Sequence, residues 1–306
     1  MHHERPSNLT ADFLDAPRTP PDAPPIVKRH ELIIPPRTTP GKSQAITDPT
    51  VGTFGTQASD AFGMDFFEKS RQSNFSQIQS IADVLEGEEQ ATQIGVCAGL
   101  STVWMNLHHA KPGSSSDARM QTLGSFEGMH HALVFQRSYV TNLKHLDLHA
   151  GFSAARQSEA RADLDEVYGV SRDMLTTQRT TSAAAMAQTM RDVDGYASIF
   201  FVRTDKTGDQ TGHELIMHRN PADGVITLFD ANHGEFRFQA RDAVRFLQSV
   251  HDMHGQKDDQ SFEWRLTKVR PNSGSAAPLG GLISALDDHQ DSMSPACPPA
   301  RAVVSQ

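Results

Sequence analysis

The chain has 306 residues, of which 37 % are hydrophobic and 21 % charged, and it carries a formal net charge of −9. The length allows one or two domains with a substantial core. The acidic balance argues against nucleic acid as the main partner, because phosphate binding needs clustered Lys and Arg. With two cysteines, Cys97 and Cys297, a disulfide framework is not expected and a four-cysteine zinc site is excluded.

Residues 1–60 are rich in Pro, Thr, Ser and Asp, with "PRTPPDAPPIVKRHELIIPPRTTPGK" at their centre. Proline at that density disfavours both helix and sheet ladders, so this segment is expected to be disordered. The opening "MHHERPSNLTADF" has no apolar core of the signal-peptide kind, and no Sec-type leader is expected. No stretch approaches the roughly 18 consecutive apolar residues of a membrane span, so no transmembrane segment is expected. Residues 61–270 are the expected folded domain, and residues 271–306, polar and Pro-rich apart from "LISAL", a second disordered tail. Cys297, in "PACPPARAVVSQ", lies too far from the end for prenylation and is read as incidental.

The first half of the core has helical periodicity. "NFSQIQSIADVLEG" places Ile78, Ile81, Val84 and Leu85 at helical spacing, with Ser76 as N-cap and Gly87 as a stop. "CAGLSTVWMNLHHA" aligns Leu100, Val103, Trp104 and Leu107 on one stripe, ended by Pro112-Gly113. Residues 154–194 read as further helix broken by loops. The second half changes period: residues 196–204, 213–220, 224–231 and 234–239 are short β-rich runs between turn residues. Residues 241–253 form an amphipathic helix, and 261–269 alternate as a last strand. Helices first and an antiparallel meander second is an α+β pattern without parallel βαβ units.

On this map Cys97 opens a helix. The apolar neighbours Val96, Leu100, Val103, Trp104 and Leu107 suit a buried structural thiol. A helix N-terminus, in contrast, presents free N–H groups and partial positive charge, which suit an anionic sulfur and an oxyanion. Ala98 and Gly99 are small enough for close approach of a substrate backbone. A reactive thiol needs a histidine base and a group to orient it. "TGHELIM" places His213 at a strand start, and "LFDANHGEF" places Asp230 at the end of the next strand. If these strands pair through the "NPADG" turn, the two side chains can meet across the ladder. His218 is the competing base; five residues from His213, it points to the opposite face of a regular strand. Asn232 is the competing orienter, with an Asx turn as its ordinary structural role.

"GVCAGLSTVWM", "GHELIMHR" and "LFDANHGEFRF" resemble, in order and spacing, three blocks of the YopT/AvrPphB-type papain-like cysteine proteases, bacterial type III secreted effectors. The family blocks read Gly-x-Cys-x-x-Leu-Ser with a following Trp, a His opening a strand, and Phe-Asp-Pro-Asn-x-Gly-x-Phe. The resemblance covers about residues 90–240. It implies a papain-like fold, with Cys97 as nucleophile, His213 as base and Asp230 as orienter. Ala231 stands where the family has Pro. A papain-like oxyanion hole uses a side-chain amide shortly before the nucleophile; Gln93 and Gln90 are the candidates, with Gln93 preferred by proximity. The resemblance further implies a host protein as substrate, a secretion chaperone as partner of the N-terminal segment, and delivery by type III secretion into the host cytoplasm. In "VGTFGTQAS", Gly52 and Gly55 stand four residues before Thr56 and Ser59, the spacing of a myristoylation site exposed by self-processing.

No cofactor and no metal site are expected. The pairs His108-His109 and His130-His131 chelate poorly, because consecutive residues point to different sides. Trp104 and Trp264 read as core. Three functions are therefore open: a cysteine endopeptidase, the same triad used for acyl transfer, transglutamination or deamidation, and a non-catalytic effector that binds a host protein, with Cys97 buried.

Overall fold

The computed structural model describes residues 57–84, 95–145, 154–208, 210–255, 259–272 and 277–293. In chain order these form α1 (Gln57–Ser70), β1 (Arg71–Ser73), α2 (Gln77–Val84), α3 (Cys97–Ala110), α4 (Ser116–Gly124), α5 (Phe126–His145), α6 (Ala154–Val167), β2 (Val170–Thr180) and α7 (Ala183–Arg191). There follow β3 (Gly195–Asp205), β4 (Gln210–Arg219), β5 (Val225–Asp230), β6 (Gly234–Gln239), α8 (Ala243–His254), β7 (Asp259–Pro271) and α9 (Gly280–Met293).

The seven strands make one antiparallel sheet in the order β1-β6-β5-β4-β3-β7-β2. Strands β3 to β6 are the expected meander, and the fold is α+β. Helices cover both faces. Ile216, Phe229, Tyr196 and Val269 face one core with α3, α4, α5 and α9; Leu215, Met217, Ile199, Phe201 and Leu228 face the other with α1, α7 and α8. This explains why β3 is buried almost without alternation from Tyr196 to Val202: a strand covered on both sides carries apolar residues on both.

Helix α3 lies at the centre of the first core, buried continuously from Ala98 to His108, as expected for a helix with little polar face. Gly99 abuts α5. A Cβ there would overlap the Ala132 backbone carbonyl, so its small size serves helix packing and not the approach of a substrate. Trp104 is fully buried, stacked 5.8 Å from Phe229. Its indole N–H donates to Glu235 Oε2 at 2.8 Å, and Glu235 in turn accepts from Arg119 at 2.5 Å. Trp264 is likewise fully buried.

Three elements depart from the sequence reading. Val170–Thr180, expected within a helical region, is the edge strand β2, paired to β7 with an irregularity between Asp173 and Gln178. β1 has only three residues, too short to leave a periodic signal. Within the segment expected to be a tail, α9 packs Leu282 and Leu286, preceded by Leu279, into the helical core with no exposure. "LISAL" is the apolar stripe of that helix.

Candidate functional site

The hairpin β4–β5 sets the site. Its register places Leu215 opposite Asp230, so β5 ends there while β4 continues outward through Glu214 and His213. His213 shares the face of Leu215, two residues on, and lies diagonal to Asp230. Across such a diagonal a ring can reach a carboxylate: His213 Nε2 donates to Asp230 Oδ1 at 2.9 Å. The other expected partner, Cys97, lies close enough for its side chain to help raise the pKa of the His213 ring. With Nε2 committed to Asp230, Nδ1 is the ring nitrogen left for the sulfur. Of the three residues named from the sequence, His213 and Asp230 are hydrogen-bonded, and Cys97 acts on the same imidazole.

Asp230 is completely buried. Its Oδ1 also accepts from the Asn232 backbone N–H at 2.8 Å, and Oδ2 lies 3.0 Å from His233 Nδ1. Burial by itself would raise its pKa; His213 and the hydrogen bonds from His213 and His233, with the His254 ring close by, overcome that and hold it well below the usual carboxylate range. For His213 the signs are reversed. Burial alone would lower its pKa, but the Asp230 charge, together with the hydrogen bonds to Asp230 and Cys97, pushes it up to about 10. A permanently anionic Asp230 therefore favours an imidazolium between it and the sulfur.

The backbone around this group is braced on both sides. Glu214, next to His213 but on the other face, is buried and bridged to Arg161 of α6, with Ser198 donating to its Oε1 at 2.9 Å. Ser101 of α3 donates to the Glu214 carbonyl at 3.4 Å. At the other side Gly234 closes the β5–β6 turn at φ 105°. A Cβ there would overlap the Ser73 carbonyl, so glycine is required both for the left-handed backbone and for the approach of β1.

Helix α3 has no side-chain N-cap; the Val96 N–H donates instead to Gln77 Oε1 at 2.8 Å. Gln77 Nε2 donates to Asn232 Oδ1 at 2.5 Å, and the Gln77 N–H to the Ala231 carbonyl at 2.8 Å. One side chain thus ties the residue before Cys97 to the Asp230 turn. The N–H groups of Cys97 and Ala98 have no acceptor among the described residues, and they open α3 beside the sulfur.

Asn232, the competing orienter, bonds Gln77 and not His213. His218, the competing base, points to the opposite face, with its ring 4.6 Å from Tyr196 and 5.0 Å from His108. His108 Nδ1 pairs with the Tyr196 hydroxyl at 2.8 Å, and burial, aided by Arg119, lowers its pKa to about 3. His108 is therefore a neutral core residue. Gln93, Gln90, Gly52, Gly55 and Cys297 lie outside the described residues.

Three site residues escaped the sequence reading: Gln77, His233 and His254. His233 had a signal, three positions after Asp230. His254 ends α8, where nothing in the helix pattern marks it. Gln77 stands 19 residues before Val96 and 155 before Asn232, a link no local pattern carries.

A family model, Peptidase_C58, described as Yersinia/Haemophilus virulence surface antigen, matches residues 56–270. The chain belongs to this family. The three sequence blocks lie within the matched span, so the resemblance read from them is a family relationship. Among solved structures, this Peptidase_C58 member is similar to the Pseudomonas avirulence protein AvrPphB, with a TM-score of 0.45 and 18 % identity over 61 % of this chain and 99 % of that one. It is also similar to the ubiquitin-specific protease encoded by a murine cytomegalovirus tegument protein, with a TM-score of 0.37 and 11 % identity over 72 % of this chain and 94 % of that one. No curated protein matches the sequence.

Proposed function

We infer that this protein is a cysteine endopeptidase in which Cys97 is the nucleophile, His213 the acid–base and Asp230 the orienter. The observation that carries this reading is the single imidazole of His213 held between Asp230 Oδ1, at 2.9 Å, and the side chain of Cys97. Family membership supports it. In the forward step the Cys97 sulfur attacks the peptide carbonyl carbon and forms a C–S bond. The oxyanion is met by the Cys97 N–H at the start of α3, and the sequence offers Gln93 as the candidate for the side-chain donor. Collapse breaks the C–N bond, and His213 gives its Nδ1 proton to the leaving amine. Water then attacks the thioester, His213 takes its proton, and the sulfur leaves as thiolate. Asp230 keeps Nε2–H occupied, so that Nδ1 always faces the sulfur.

The biological reading follows the family: a type III secreted effector that works in the host cytoplasm on a host protein, with residues 1–60 serving secretion, chaperone binding and, at Gly52 or Gly55, acylation. The deciding experiment incubates host lysate with wild type and with the Cys97→Ala variant and maps new peptide N-termini by mass spectrometry. Termini made only by wild type support an endopeptidase. Cross-links or deamidated glutamines without new termini replace it by acyl transfer, and no difference between the two proteins removes catalysis altogether.

A further inference from the structure

Asp230 faces more imidazole than an orienter requires. Beyond His213 and His233, the ring of His254 stacks on His213 with centroids 5.2 Å apart and planes at 26°, and packs 4.9 Å from Phe201. Its Nε2 is buried and has no hydrogen-bond partner among the described residues. It stands 3.7 Å from Asp230 Oδ2, beyond hydrogen-bond range. One ligand atom from each of His213, Asp230 and His254 falls within 4.8 Å of the others. Two ligands bound at about 2.0–2.2 Å to one tetrahedral ion stand roughly 3.4 Å apart, close to the separation of the orphaned nitrogen from the carboxylate.

We propose that His213, Asp230 and His254 form an inhibitory site for a divalent transition-metal ion of the zinc type. Imidazole and carboxylate are the ligands such an ion prefers, and three protein ligands leave a fourth position for water. His254 is suited to the role because its buried Nε2, without a hydrogen bond among the described residues, stands 3.7 Å from the carboxylate. His213 must shed a proton to bind, so affinity rises with pH. Bound metal takes the ring that carries the proton between Cys97 and the leaving group, and so stops turnover. That last consequence rests on the protease reading above; the binding itself does not.

The test titrates zinc chloride into the full chain carrying Cys97→Ala, which removes the thiol as a rival ligand, and reads binding by calorimetry at pH 6 and pH 8. Expected are one zinc ion per chain, tighter at pH 8, and at least a tenfold loss of affinity on adding His254→Gln, with the circular dichroism spectrum unchanged. Equal affinity with His254→Gln, or no saturable binding, overturns the site and assigns any zinc uptake to surface histidines. Should His254→Gln fail to fold, cobalt(II) bound to the unmutated chain gives a second readout. Visible bands of a tetrahedral nitrogen–oxygen site support the proposal, and a near-ultraviolet thiolate charge-transfer band places the ion on Cys97 and overturns it. Neither measurement uses substrate, so a protein that binds zinc but cleaves nothing fails only the protease reading.

Discussion

Asp230 lies opposite Leu215 in the β4–β5 ladder, yet its carboxylate accepts from His213, two residues further along β4. The register brings the pair to the point where β5 stops and β4 runs on, and this is where the first turn of α3 delivers Cys97. Loss of any member should then cost nearly as much as loss of all. Cys97→Ala and His213→Ala should each lower kcat/KM by at least about 10³-fold, and the double variant little further, since groups that act as a unit are not additive. Additive losses in single-turnover assays would contradict a shared role.

Asp230 carries a second burden, stability. Asp230→Ala leaves His213, His233 and the Asn232 N–H without their acceptor in a buried site. Such a change costs about 3–5 kcal/mol, seen as a lower denaturant midpoint. Asp230→Asn retains an oxygen for the His213 Nε2–H and should be milder in both stability and rate.

The pH dependence follows from the two shifts. The pKa of His213 is raised from 6.5 to about 10, so its contribution is complete below about pH 6.5 and lost as pH rises through 10. Asp230 is lowered from 3.8; its contribution is present above that value and lost on acidification. The stability gap between wild type and His213→Gln should therefore be widest near pH 5–6 and narrow toward pH 10. Thermal melts across that range measure it, and a constant gap would deny the coupling.

Gln77 is the tie between the Val96 N–H and Asn232. Gln77→Ala should destabilise by about 1–3 kcal/mol through the unsatisfied buried N–H. It should also reduce kcat by roughly 10–100-fold through displaced reacting groups. Gln77→Glu, which keeps the acceptor for Val96, should recover most of the stability. An Ala variant of full activity would make the tie structural only.

The ion pair of Arg161 and Glu214, both buried, anchors β4 beside His213 to α6. Arg161→Met should cost about 1–3 kcal/mol by removing the main partner of a buried carboxylate that keeps only Ser198 and the more distant Arg172, and adding Glu214→Leu should restore part of it. Urea unfolding of the two variants makes the comparison.

A chain ending at residue 270 should be less stable than one ending at 293, because α9 buries Leu282 and Leu286. Leu282→Ala alone should cost about 2–5 kcal/mol. The exposed Lys111–Asp287 pair at 3.0 Å should contribute little, since both partners remain solvated. Equal melting temperatures for the two chain lengths would show α9 to be dispensable.

Features that depend on short-range pattern are legible in the amino-acid order. Short apolar, β-rich runs between turn residues mark β3 to β6, because both faces of these strands are covered and their connections are tight. A cysteine followed by a 3.6-residue apolar stripe marks the start of α3. His213 and Asp230 were legible as a pair because a short hairpin converts sequence distance into register. The other features depend on contacts between elements distant in the chain. β2, an edge strand with a half-exposed, irregular pattern, takes its identity from pairing with β7. The apolar stripe of α9 acquired meaning only from the helical core it covers. Gln77 and His254 join the site through contacts between elements far apart in the chain, and nothing local to either residue encodes where its partner will be.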